Sequence, residues 1–335
     1  MVEIAPFPDL RHELAIPGIT LGHGSDSDGK TGVTVILCPD GVVAAADVRG
    51  SGTGTRQFDS LVGVHHLATR CHAVVLSGAS GFGLASADPV VDHLLAGGHG
   101  FDTGVGKVPL VPTAILFDLA FGDPQARPDR ALVESAIATA SDGYVESGSV
   151  GAGTGATVGK CLGPAQGMKG GFGFASFTVE AGPTVAAAVA VNAFGDIRDP
   201  DSCETLAGCR KTADSLELIG AQNVMAALPP ELDHPWETNT TLAVIMTDAD
   251  LDKVALRKVC DMAFGGLYRT VIPALSLYDG DLVVALATGR RRAHVHQIGA
   301  MAEEALAQGI AHAVRQADGF GVLPAWKDSR WPAEA

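Results

Sequence analysis

A mixed α/β protein, with layered sheets and helices on the outside, is what the sequence predicts, on three observations. The strand-like runs are continuously apolar rather than alternating, as in strands covered on both faces. The helical stretches repeat apolar residues at the spacing of amphipathic surface helices. Strands and helices come in blocks, not in the strict alternation of a doubly wound parallel sheet. Composition fits such a build: 47% of the 335 residues are hydrophobic, 18% are charged, and 42 are glycines suited to tight turns and close backbone approaches.

Taken in order, GVTVILC (32–38), GVVAAADV (41–48) and HAVVLSG (72–78) read as strands, followed by a helix over 81–96. LVPTAILFD (110–118) reads as a strand, and Pro128 and Asp129 open a helix over 128–141. GFGFASFTVE (171–180) and TVAAAVAV (184–191) are strands, and a longer helix runs over 201–225 from Asp201. ALPPELDHPWETN (227–239), with its prolines and acidic or amide groups, is an exposed loop that runs into the strand TTLAVIMT (240–247). A helix over 250–264 places Leu251, Val254, Ala255, Val259 and Met262 on one face. After the strand DLVVALAT (281–288), a helix over 294–317 does so with Ile298, Ala302, Leu306, Ile310 and Val314. There is no internal repeat.

A net charge of −15 argues against nucleic-acid or anionic-membrane partners and suits a small-molecule or peptide substrate. The start, MVEIAPFPDLRHEL, carries Glu3, Asp9 and Glu13 where a signal peptide needs a basic region and an apolar run. No uncharged apolar stretch approaches ~20 residues, so no membrane span is expected. The six cysteines form no C-x-x-C pair, which fits reduced thiols and a cytoplasmic location.

Several motifs invite chemistry and fail on context. GSDSDGKT (24–31) matches the phosphate-binding G-x-x-x-x-G-K-[ST], but a strand rather than a helix follows, and Asp26 and Asp28 would repel a triphosphate. GAGTGATVGK (151–160) resembles half of a dinucleotide fingerprint without a clean helix after it. Gly78-Ala79-Ser80-Gly81-Phe82 departs from G-x-S-x-G at its last position and has no clear Asp…His sequel. His65–His66 and the pair His294 and His296 lack carboxylates at ligand spacing, so no metal site is expected.

The junction ETN|TTLAVIMTD is different. Thr240 follows Asn239 at the end of a linker and begins a buried strand. A threonine hydroxyl needs a base beside it, and the α-amine of the same residue, with a pKa near ~8, can be that base once the preceding peptide is cut. On the residues alone, an ordinary strand start fits as well. Asp279 and Asp281, in LYDGDLV, share a face if the chain is extended, and so could both reach Thr240 from a neighbouring strand; a plain Asp-Gly hairpin turn fits them too.

Long ordered segments add weight. GVTVILCPDGVVAAADVRGSGTGTRQFDSL (32–61), LSGASGFGLASADPVVDHLL (76–95), SVGAGTGATVGK (149–160), AVAVNAFGDI (188–197), NTTLAVIMTDADLDKVALRKVC (239–260) and LYDGDLVVALAT (277–288) together span nearly the whole chain. In them the sequence resembles the DmpA-like aminopeptidase family, which also contains the β-aminopeptidases and nylon-oligomer (6-aminohexanoate oligomer) hydrolases. The resemblance implies a four-layer α/β/β/α sandwich in a single catalytic domain, 1–335, like the DmpA and ornithine acetyltransferase folds. It implies self-cleavage between Asn239 and Thr240 into an α subunit, 1–239, and a β subunit, 240–335. Thr240 would be the nucleophile, with Asp279 and Asp281 orienting its hydroxyl and amine, Asn192 near the substrate carbonyl, and Lys160 as a nearby cation. The turn Gly78, Ala79, Ser80 would lie close to the nucleophile and offer N–H groups to substrate or oxyanion. Phe117 stands where many relatives have a tyrosine donor, so that donor would be missing. The implied function is hydrolysis of small peptides or aminoacyl amides, without metal or organic cofactor, by a tetramer of α/β heterodimers. Three rivals are an N-acyltransferase of the ornithine acetyltransferase type, a nucleotide-binding protein through residues 24–31, and a non-catalytic relative.

Overall fold

The apolar runs pair into one extended hydrogen-bonded path. In the computed structural model of the protein, which describes residues 6–227 and 239–331, eight strands and four helices position the site. They are β1 (Thr20–Asp26), β2 (Thr31–Val48), β3 (Arg70–Ser77), α1 (Ala87–Ala96), β4 (Thr113–Ile115), α2 (Arg130–Ala138), β5 (Gly171–Thr178), β6 (Thr184–Asn192), β7 (Thr240–Ala249), α3 (Lys253–Thr270), β8 (Leu282–Arg291) and α4 (Val295–Gln316). The pairing runs β5–β6–β7–β8–β2–β3–β4, with β1 also on β2. β7–β8 and β3–β4 are parallel, and the other pairs in the path are antiparallel.

β2 turns this path into two layers. Its first half, Val33 to Leu37, pairs with β3 and β1, whereas Val43 to Val48 pair with β8. The register slips between Leu37 and Val42, where Pro39 has no N–H to give the ladder and Gly41 takes φ +76°. The two strands expected over 32–38 and 41–48 are thus one bent strand of 18 residues.

Three apolar interfaces separate four layers. On one outside, Phe264 and Leu267 of α3 and Ile298, Leu306 and Ile310 of α4 pack on Val185, Val189, Ile245 and Val283. The opposite faces of the same strands, including Ala188, Leu242, Val244 and Val284, meet Ile36, Val74, Leu76 and Ala114 between the sheets. On the far outside, Val33, Val35, Ala73 and Val75 carry Val90 and Leu94 of α1 and Val133 and Ala136 of α2. Successive residues point to opposite faces, so strands covered on both sides must be apolar throughout. Helix α4 lies so close that a Cβ at Gly173 would stand 1.9 Å from Gly309 O, which only glycine avoids.

Local signals held in part. The Asp129 side chain accepts from Leu132 N and caps α2. The five α4 positions expected to be buried, Ile298, Ala302, Leu306, Ile310 and Val314, are all buried. Residues 24–31 span the end of β1, the turn at 27–30 and the start of β2, and the Asp26 carboxylate accepts from Asp28 N and Gly29 N; a strand follows, not a helix.

Other expectations are corrected. In 201–225 the structure has a short strand, Thr205–Ala207, and a helix only over Ala221–Ala226. There Arg210 is fully buried and donates to the carbonyls of Ala165, Gly167, Ala213 and Ser215. Those bonds, with Asp196 accepting from Cys209 N and Ala221 N, organise an irregular segment. The strand expected over 110–118 shrinks to three residues, and Ser80–Ser86 is a 3-10 helix before α1. α3 begins at Lys253, capped by Asp252, and buries Leu256, Cys260, Ala263 and Leu267. Val254, expected on the buried face, is 65% exposed. The loop expected over 227–239 lies outside the described residues except at its two ends.

Candidate active site

β6 and β7 run antiparallel, and their pairing sets Asn192, the last residue of β6, opposite Thr240, the first residue of β7. Both are buried. The Thr240 hydroxyl donates to the carbonyl oxygen of Asn239, the peptide immediately before it. That preceding residue forms a parallel bridge with Asp279, which leads into β8.

The Asn192 amide is held from three sides. Its Oδ1 accepts from Lys160 Nζ at 2.9 Å and from Thr157 N at 3.0 Å, and its Nδ2 donates to Phe117 O at 2.9 Å. Lys160 Nζ also donates to Asn192 O at 3.2 Å. A lysine donates and never accepts, so its contact fixes which end of the amide is oxygen. Phe117 therefore contributes its carbonyl here, and its ring lines a nearby pocket.

Asp279 and Asp281 are both fully buried. Asp279 accepts from Phe194 N at 3.1 Å and Ser276 N at 2.9 Å, and Asp281 from Thr241 N at 2.7 Å and Leu275 N at 3.3 Å. Burial raises the pKa of both carboxyls. Burial, and then the Asp279 charge, lift Asp281 to about 8; at Asp279 the hydrogen bonds from Ser276 and Phe194, and lastly the Lys160 charge, offset part of the rise. Two carboxyls crowded into one buried place resist ionising together, and that is the direction of the Asp281 shift. Such a pair can accept a proton on one member and release one from the other.

The expected residues Thr240, Asn239, Asn192, Lys160, Asp279 and Asp281 thus converge at one end of β6, β7 and β8. Gly78, Ala79 and Ser80 do not offer open amides, which departs from their expected part. Their N–H groups donate to Gly32 O, Asp118 Oδ1 and Leu116 O at 2.9, 2.7 and 3.0 Å. Ala79 and Ser80 hold left-handed φ values of 62° and 53° in making that turn.

The turn instead serves Asp118, which the sequence reading passed over. The Asp118 carboxylate is buried, also accepts from Thr31 Oγ1 at 2.8 Å, and has its pKa raised by burial. It lines a pocket of about 270 Å³ with Phe117, Phe121, Leu323, Thr157 and Lys160. The pocket reaches Lys160 but not Thr240, whose exposure is 1%; the hydroxyl is shut off from it. Behind the pocket, Lys169 is fully buried, donates to the carbonyls of Gly153, Ala156 and Gly170, and is pulled down to about 7 by burial. Nothing in the glycine-rich GMKGG marked that lysine as interior. Among the described residues, no three His, Cys, Asp or Glu side chains group as metal ligands do.

Known proteins resemble this chain along nearly its whole length. An uncharacterized aminopeptidase of Mycobacterium leprae is 36% identical, over 93% of this chain and 92% of that one. A 6-aminohexanoate-oligomer endohydrolase of Paenarthrobacter ureafaciens is 27% identical, over 93% and 89%. In fold, the chain is similar to the L-aminopeptidase D-Ala-esterase/amidase of Ochrobactrum anthropi, a variant of the Ntn-hydrolase fold, with a TM-score of 0.69 at 19% identity over 97% and 93% of the two chains. It is also similar to a β-aminopeptidase of Burkholderia sp., with a TM-score of 0.68 at 20% identity over 97% and 94%. The family model for peptidase family S58 matches residues 14–322, and the chain belongs to that family.

Proposed function

We propose that the chain is an amide hydrolase of the aminopeptidase and amidase type that activates itself by cutting the Asn239–Thr240 bond. The observation that carries this is the Thr240 hydroxyl lying against the carbonyl of its own preceding peptide, beside two buried carboxylates. Attack of Oγ1 on that carbonyl carbon moves the acyl group from nitrogen to oxygen. One of the two carboxyls, ionised, takes the hydroxyl proton, and the other, protonated, supplies its proton to the departing Thr240 nitrogen. Water then hydrolyses the ester, leaving 1–239 with a new carboxylate and 240–335 with a new amine.

In turnover the freed α-amine, with a pKa near ~8, takes the Thr240 hydroxyl proton as the hydroxyl attacks an external amide. The acyl group rests on Oγ1 as an ester, and water clears it. Lys160 and Asn192 brace the site: the ammonium holds the Asn192 amide and keeps a positive charge near Asp279. The pocket beside Lys160, largely apolar with one buried carboxylate, suits a small aminoacyl group. The relatives' activities, aminopeptidase and 6-aminohexanoate-oligomer hydrolysis, share this amide chemistry.

The test is a panel of α- and β-aminoacyl amides, D-amino-acid esters and 6-aminohexanoate oligomers offered to the purified protein and to Thr240→Ala. Hydrolysis of at least one class by the first and none by the second is the expected result. Equal hydrolysis by both would refute the reading.

A further inference from the structure

We propose that the main-chain N–H of Gly280 is the catalytic oxyanion donor of self-cleavage. This rests on the Thr240 reading above and adds a group that no side-chain inventory contains. Gly280 N donates to Asn239 O at 2.6 Å, and that oxygen also accepts the Thr240 hydroxyl. As the Oγ1–C bond forms, the carbonyl π pair moves onto this oxygen, and collapse of the intermediate then expels the Thr240 nitrogen. The Gly280 N–H keeps its proton throughout and lies where the negative charge grows.

Three further observations support the assignment. Asn239 N donates to Tyr278 O at 2.9 Å, so the scissile residue is pinned on both sides of its rung with Asp279. The donor segment is itself clamped: Gly52 N donates to Asp279 O at 2.9 Å, and Arg49 N and Gly50 N donate to Asp281 O at 3.1 and 2.9 Å. A donor fixed in advance costs no reorganisation when charge develops. Finally, a Cβ at 280 would stand 2.7 Å from Thr240 Oγ1 and 2.7 Å from Gly52 O. Position 280 must therefore be glycine for the hydroxyl to keep its place. The Asn192 amide, by contrast, is turned to Phe117, Thr157 and Lys160. Asp-Gly-Asp thus supplies two carboxylates and, between them, the amide that faces the bond to be cut.

The test replaces Gly280 with glycolic acid during cell-free translation, which exchanges the N–H for an ester oxygen and adds no Cβ. Appearance of the 1–239 and 240–335 pieces is followed by mass. Loss of the donor is expected to slow self-cleavage roughly 10²–10³-fold. The same replacement at Gly97, which removes a bond to His93 O at the C-terminal end of α1, is expected to stay within about tenfold of wild type, since it touches neither the oxyanion nor the clamped donor segment. Cutting of the 280 ester at the wild-type rate, or equal slowing by both esters, overturns the Gly280 assignment and leaves the Thr240 reading standing. A wild-type chain that never cuts ends both. A readout that needs no cutting is the infrared stretch of a 13C-labelled Asn239 carbonyl in uncut Thr240→Ala. It should lie at the low frequency of a strongly hydrogen-bonded amide, and a frequency typical of a free carbonyl overturns the assignment.

Discussion

The two ends of β7 bury carboxylates in opposite ways. At its C-terminal end, Asp248 accepts from Thr184 N at 2.9 Å and meets the Arg291 guanidinium at 3.0 Å, so a cation and an amide satisfy it. At its N-terminal end, Asp281 accepts from amides too, but burial first, and then the charge of another carboxylate, Asp279, raise its pKa to about 8. Burying a carboxylate is costly unless it is paired or protonated. One end of the strand meets that cost with an arginine. At the other end burial and a neighbouring carboxyl push the pKa upward. A strand needs only the first device to be stable, and the second is the one the proposed mechanism uses.

The largest expected effect breaks the reactive end outright. Thr240→Ala should abolish self-cleavage and lower amide hydrolysis by at least about 10⁴-fold, as loss of a nucleophile does in other acyl-transfer enzymes; fragment mass and initial rates check it. Lys160→Met keeps an apolar stem but removes the ammonium from Asn192 Oδ1 and from the neighbourhood of Asp279. Hydrolysis should fall about 10²-fold, as for loss of one positioned charge or donor, with the acidic limb of the pH–rate profile moved upward as the carboxyl pair loses its cation.

A subtler change sharpens the electrostatic contrast. The folded-state pKa of Asp281, about 8, stands above its unfolded value near ~4. The folded chain therefore holds an extra proton between those limits, and the stability contributed by that proton, complete below the lower one, is lost as pH rises through the upper. Asp281→Asn in uncut Thr240→Ala should remove this loss. Its melting temperature should gain on the parent from pH 5 to pH 8 and level off above. A gain that is flat across that range would mean that Asp281 is ionised. The smallest effect belongs to the other end: Arg291→Met breaks a pair whose arginine is half exposed, so roughly 1 kcal/mol of stability and no change in rate are expected. If Arg291→Met slowed hydrolysis as much as Lys160→Met, the division between the two ends would fail.

What the sequence made legible follows from where the physics is local. Continuous apolar runs and the α4 spacing reveal covered strands and a covering helix, because burial on two faces or one is written residue by residue. The bend in β2 is not, since Pro39 and Gly41 read equally well as a break between two strands. The false helix over 201–225 has the same origin: the fully buried Arg210 gathers carbonyls from distant segments, and no local pattern shows that. At the site, Thr240, Asn192, Lys160, Asp279 and Asp281 were visible through a family resemblance and the chemistry of a hydroxyl at a strand mouth. Asp118 and Lys169 were not, because a buried charge looks like a solvated one until the fold encloses it. The amides of Gly78, Ala79 and Ser80 looked open in the sequence and proved to be spent within the turn.

The central claim is that a single threonine becomes the N-terminus of its own piece by cutting the bond before it. Intact-mass measurement of the purified protein beside Thr240→Ala tests this most directly. Two masses that meet between residues 239 and 240, against one unbroken mass for the variant, are the predicted result. A wild-type protein that hydrolyses amides at full rate while every molecule remains one chain would contradict it.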